Sequence, residues 1–249
     1  MKKLYVLFFL LMGTGYSFSQ EMPGASQTNE NVLGLRGGLK ILVGPSWLST
    51  DVEEPDLYAA ENNGSKLSFA YGGFADYYFA AHYAIGGELR YLYTGSSFIY
   101  TPDKANRPDS NLNRTLSLQY VEVPIYLKFR SNEVSYTRFF GQIGITPGIN
   151  TRARMESFTS SRTGTTSIKE GQNVQSQVKT FNVGLNIGLG AEYNLGGSTS
   201  LIASLNWNNG LTNIWDRKSD DRPGKVPGRQ EELINTKLQT ITLNLGILF

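Results

Sequence analysis

Residues Phe181–Leu195 read FNVGLNIGLGAEYNL. The odd positions are Phe181, Val183, Leu185, Ile187, Leu189, Ala191 and Tyr193; the even ones are Asn182, Gly184, Asn186, Gly188, Gly190, Glu192 and Asn194. A β-strand sends successive side chains to opposite faces, so this segment has one apolar face and one small or polar face. An aromatic residue closes the apolar face at each end, about a bilayer's thickness apart for a tilted strand. The pattern is that of a strand with lipid on one side and a polar lumen on the other.

Seven further segments repeat it. They are Leu33–Val43, Leu67–Tyr77, Tyr83–Tyr93, Val121–Phe129, Phe139–Ile149, Leu201–Leu211 and Ile241–Phe249. Eight charged residues fall inside the windows: Arg36, Lys40, Asp76, Glu88, Arg90, Glu122, Lys128 and Glu192. All eight lie on the face opposite the apolar one. An Arg or Lys facing lipid at mid-bilayer costs roughly 2–4 kcal/mol, which accounts for that segregation. A soluble eight-stranded barrel such as a lipocalin would turn its apolar face inward and scatter charge over its outside. The expected fold is therefore all-β, an eight-stranded antiparallel up-and-down transmembrane barrel. In the fifth segment, Pro147 lacks a ladder donor and predicts a bulge or strand end.

Composition agrees. The chain has 249 residues, no cysteine, 14 Tyr and 13 Phe, with a mean hydropathy of only −0.27. Alternating strands produce that mixture of many aromatics and low average hydropathy. Without cysteine there is no disulfide framework, zinc cluster or lipid anchor on Cys. Lys and Arg total 23 against 21 Asp and Glu, with no basic stripe of the kind a nucleic-acid binder shows.

Residues 1–19 read as a signal peptide: Lys2 and Lys3, an apolar run Leu4–Met12, and a small-x-small site at Ser17–Ser19. The apolar run is too short to span a bilayer as a helix. Residues 20–31 are a polar, flexible lead-in, and 32–249 form the barrel domain. Turns at 79–82, 130–138 and 194–200 are short. Loops at 50–65, 100–113, 154–173 and 217–233 are long and polar. Outer-membrane barrels have short periplasmic turns, long external loops and both ends inside, so the long loops are expected outside. Outer-membrane lipid and lipopolysaccharide are then the surroundings.

The stretch Tyr120–Arg130, YVEVPIYLKFR, resembles the PorT-type outer-membrane β-barrel family of Bacteroidota. Its pattern of hydrophobic, Glu, hydrophobic, Pro, x, x, Leu, Lys is met by Val121, Glu122, Val123, Pro124, Leu127 and Lys128. A Gly-rich opening strand such as Leu33–Lys40 and an alternating last strand such as Leu243–Phe249 fit it too. The resemblance implies an outer-membrane barrel over residues 33–249 and, through the founding member, a part in a type IX secretion assembly with protein partners.

Chemistry-bearing residues are few. The single histidine, His82, falls in a short turn on the periplasmic rim, the wrong end for the surface hydrolases that pair a base with a Ser or Asp near the outside. Gly184, Gly188 and Gly190 are not a phosphate loop, because no helix follows; on the lumen face they read as space-makers. Asp51, Glu53, Glu54, Asp56 and Glu61 lack the Gly-spaced pattern of a calcium loop. The expectation is thus no catalytic, cofactor or metal site. The lumen charges are the candidate site. An eight-stranded barrel is only wide enough for its own side chains, so charges there must pair or reach water. Arg90 is expected to reach Glu122, and Glu88 to reach Lys128 or Lys40. A closed ion-paired plug is the favoured reading and a narrow small-solute channel the alternative.

Overall fold

A computed structural model describes residues 33–52, 59–101, 111–160, 166–216 and 234–249. The strands are β1 (Gly34–Val52), β2 (Ala59–Ala80), β3 (Tyr83–Thr101), β4 (Asn111–Glu122), β5 (Ile125–Arg130), β6 (Thr137–Ser160), β7 (Thr166–Asn173), β8 (Phe181–Gly196), β9 (Thr199–Gly210) and β10 (Ile234–Leu248). Each pairs antiparallel with its neighbours, and β1 pairs with both β2 and β10, which closes the ring.

Eight staves make the wall. β4 and β5 are one stave interrupted at Val123–Pro124. Glu122 faces Gly148 and Ile125 faces Ile145 on β6, so no residue slips across the break. The interruption answers the proline on the other side. Pro147 sits opposite Val123, where the Val123 N–H still donates to the Pro147 carbonyl at 2.8 Å. β6 therefore runs unbroken through Pro147, contrary to the bulge or strand end expected there. Its bulge lies further on, at Thr151, between the pairs Gln119–Arg152 and Tyr120–Asn150.

The apolar face points outward all round. Leu67 is 73% exposed and Leu189 66%, an apolar surface of a size that only lipid or a partner would cover. Aromatic residues bound it at two levels. Tyr71, Tyr91 and Tyr93 contact one another toward the long-loop end, with centroids 5.0–6.2 Å apart. Phe79, Tyr83 and Phe129 do so beside the short turns, at 5.7–6.3 Å. Ten residues of tilted strand separate Phe69 from Phe79, a height of about 25 Å, the thickness of an outer-membrane apolar band.

Beyond the upper girdle the strands continue much further than the alternating windows. Much of the expected loops at 50–65, 100–113 and 154–173 is thus paired strand. β7 pairs only with β6 and extends that arm past the short staves β8 and β9. Loop positions 53–58, 102–110, 161–165 and 217–233 lie outside the described residues, as do the signal peptide and lead-in at 1–31.

Candidate functional site: the barrel lumen

The inner face is layered. In the half nearer the short turns, each of the eight charges singled out in the sequence is buried, none more than 8% exposed. Arg90 Nε lies 2.7 Å from Glu122 Oε2, and Arg90 Nη1 lies 3.8 Å from Glu88 Oε2. Lys40 Nζ reaches the same Glu88 oxygen at 2.7 Å. Lys40, Glu88, Arg90 and Glu122 thus form one chain of alternating charge across three adjacent strands and the β4 stave. Gly72 makes this reach possible. It lies between Lys40 on β1 and Arg90 on β3 in the ladder, and a Cβ there would meet the Arg90 Cβ at 2.8 Å.

A second group is centred on Lys128. Its ammonium lies 2.8 Å from Asp76 Oδ2 and also pairs with Glu192. Asp76 accepts a further hydrogen bond from the Tyr126 hydroxyl at 2.8 Å, and Glu192 one from Tyr78 at 3.3 Å. Gly86 leaves the space for the first of these, since a Cβ would strike the Tyr126 ring and Asp76. Aromatic faces take up the rest of both ammonium groups. Lys128 Nζ sits 4.3 Å from the Phe140 centroid and Lys40 Nζ 5.1 Å from that of Phe74, a favourable contact for a desolvated cation. Phe74 and Phe140 pack with Ile202 and Leu248 in a small apolar cluster.

Arg36 faces Asp76 in the β1–β2 ladder but makes no ion pair among the described residues. It donates to the Ser198 carbonyl at 2.5 Å and the Ser200 hydroxyl at 3.4 Å, in and beside the β8–β9 turn. Arg130 joins this end, 7% exposed. Its Nε donates to the Ala81 carbonyl at 2.7 Å and its guanidinium covers Tyr78 at 4.0 Å. Sequence reading missed Arg130, Tyr78 and Tyr126. Arg130 is one position past the alternating window, yet its even number continues the lumen parity of Glu122 and Lys128. His82 is exposed in the β2–β3 turn, its Nδ1 3.1 Å from the Arg130 carbonyl.

Above these charges come uncharged polar side chains and then a largely apolar layer. Asn186, Asn206, Thr242 and Asn244 are buried at mid-height, with Gln142 donating to Asn186 at 3.2 Å. Gly188 acts there as space-maker, since a Cβ would meet Asn206 and, at 2.9 Å, Gln142 Cγ. A void lined by Glu122, Thr146, Asn182, Asn208 and Thr240 measures about 10 Å³, room for one water. Higher still, Leu42, Leu48, Leu92, Leu116, Leu118 and Met155 form one buried cluster with Ile214 and Trp215 of the β9–β10 connection. Trp215 pairs with Val178 in an isolated bridge, donates from its ring nitrogen to Thr236 at 3.2 Å and meets Phe98 edge-on. The sequence signal for this layer was alternation running on past the belt, as at Leu116 and Leu118. No group of His, Cys, Asp and Glu among the described residues is arranged to hold a metal ion.

An outward apolar belt between two aromatic girdles, a charged lumen and eight closed antiparallel staves define an integral protein of the Gram-negative outer membrane. The chain belongs to the outer membrane protein β-barrel domain family, whose model matches residues 18–216. Among solved structures it is similar to Ail, the attachment invasion locus protein of Yersinia pestis, at 16% identity over 87% of this chain and 99% of that one, with a TM-score of 0.39. It is also similar to OprG of Pseudomonas aeruginosa, at 12% identity over 87% and 95% with a TM-score of 0.45. The outer membrane protease OmpT of Escherichia coli is another such structure, at 8% identity over 87% and 96% with a TM-score of 0.39. No curated protein sequence matches the chain significantly.

Proposed function

We propose that this protein is a non-enzymatic outer-membrane barrel with a plugged lumen, acting through its external hairpins or as an accessory of a surface or secretion assembly. The observation that carries this reading is the double filling of the lumen. Paired charges bridge it from β1 to the β4 stave in the lower half, and Trp215 with its leucine neighbours occupies the upper half. Desolvated charges held this way are costly to separate, and the void near Glu122 has room for one water and not for a hydrated solute. An interior filled twice leaves the external hairpins as the working surface. The resemblance of VEVPIYLK to PorT-type barrels favours the accessory role. That motif supplies Glu122 and Lys128, one to each ion-paired group.

Two measurements test this. In a planar bilayer the folded protein should show negligible conductance; free passage of ions would replace the plug by a small-solute channel. Mild detergent extraction from the native membrane should recover it with other surface or secretion proteins. Recovery of the barrel alone would sink the accessory role.

A further inference from the structure

The eight lumen charges singled out in the sequence are four cations and four carboxylates. Arg130 is a ninth, and it upsets the balance. Lys40 and Arg90 are matched by Glu88 and Glu122 in one group. Nearer the short turns, Arg36, Lys128 and Arg130 stand against Asp76 and Glu192, and Lys128 pairs with both of these. Asp76 is opposite Arg36 in the ladder, yet its carboxylate goes to Lys128 and the Tyr126 hydroxyl. Arg138 adds nothing to the excess, because Glu133 holds it at 2.7 Å. One positive charge at this mouth is therefore without a counter-charge.

The excess sits on Arg36 and Arg130, which are 6% and 7% exposed. Neither makes an ion pair among the described residues. Each is anchored by a main-chain oxygen of a different turn, that of Ser198 for Arg36 and that of Ala81 for Arg130. Arg130 Nη1 is buried and has no hydrogen-bond partner. Tyr78 brings the two side chains to one place. Arg130 covers its ring at 4.0 Å, and Tyr78 pairs with Gly34, two residues before Arg36 on β1. The charged groups in electrostatic reach of Arg130 are Arg138, Glu192 and Arg36. Burying a charge is costly unless a partner compensates it, and a second guanidinium nearby raises that cost. A guanidinium with a free edge takes a carboxylate through two parallel charge-assisted hydrogen bonds. An excess of one charge fits a carboxylate better than a phosphate monoester, which carries more than one at neutral pH.

We propose that the mouth at the short-turn end binds one carboxylate between Arg36 and Arg130, with Arg130 Nη1 as a donor to it. In the orientation expected from the loop lengths this mouth opens to the periplasm. The carboxylate is then a small free anion or an acidic side chain of a periplasmic polypeptide. The site stands whether or not the lumen above it is plugged.

The test is urea unfolding of the full barrel in neutral detergent micelles, with sodium acetate replacing sodium chloride at constant ionic strength. Wild type should gain about tenfold in its folded-to-unfolded ratio on reaching about 0.1 M acetate. Arg130→Gln and Arg36→Gln should each lose most of that gain, and either variant alone decides the point if the other does not fold. Arg138→Gln, which removes an arginine already paired, should keep the gain. A wild-type ratio indifferent to acetate would overturn the site, as would a gain of full size in either of the first two variants. A short glutamate peptide with blocked ends separates the two sources. A polypeptide ligand is identified if the peptide acts at a roughly tenfold lower carboxylate concentration than acetate and loses its effect with Arg130→Gln. A peptide no more effective than acetate per carboxylate identifies the free anion.

Discussion

Replacing Arg90 by alanine removes one guanidinium from a chain of four charges and leaves the other three unequally served. Glu88 keeps Lys40 at 2.7 Å, so its carboxylate stays compensated. Glu122 loses its 2.7 Å partner at a site where its side chain is 8% exposed. Leaving one buried charge unpaired costs on the order of 3–5 kcal/mol unless water enters. The void beside Glu122 has room for one water, which would lower the cost toward the bottom of that range. Arg90→Ala should then lose about 3 kcal/mol in urea unfolding of the barrel in detergent micelles. Arg90→Ala/Glu122→Ala removes both members of the pair and should recover part of the loss, a coupling that a double-mutant cycle reads directly. In a planar bilayer the single variant should conduct no more than wild type, because Trp215 and its neighbours still fill the lumen above. Unchanged unfolding of Arg90→Ala, or a double variant that simply sums the two single losses, would refute the ion-pair argument.

Lys128→Met should be more damaging than Arg90→Ala, since it strips Asp76 and Glu192 together and leaves Asp76 only the Tyr126 hydroxyl; comparison of their urea midpoints checks the order. Trp215→Ala should cost roughly 3 kcal/mol for the vacated volume and, combined with Arg90→Ala, should raise conductance where neither change does alone. Unheated protein in SDS should migrate differently from boiled protein, and recovery of folded monomer from the periplasm without detergent would contradict the membrane barrel. Epitope tags at Gly164 and Gly224 should label on intact cells, whereas labelling at Gly196, at the end of β8 beside the β8–β9 turn, would reverse the topology.

The alternation of Phe181–Leu195 and its seven counterparts determined which residues face lipid and which face the lumen, because strand pleating is a local property that needs only the order of residues. The short turns at 79–82 and 194–200 and the confinement of charge to one face were legible for the same reason. Arg90 and Glu122 could be matched because strands three and four are neighbours in the chain and in the barrel. For Glu88 the sequence left Lys128 and Lys40 open, and it did not indicate Asp76 and Glu192 as the partners of Lys128. Lys40 meets Glu88 past Gly72 on the intervening strand, and Lys128 meets Glu192 past the intervening β6; both depend on the stagger of the staves, which closure of the ring sets. Arg152 and Arg154 are exposed, where unbroken alternation from the buried Asn150 would turn them inward, because of the bulge at Thr151, an insertion visible only against the pairing partner on β4. Trp215, just past the window Leu201–Leu211 and outside its alternation, entered the upper lumen because the short staves β8 and β9 leave apolar side chains of the taller strands without cover there. Local periodicity chooses the face of a residue; register and closure choose what it touches.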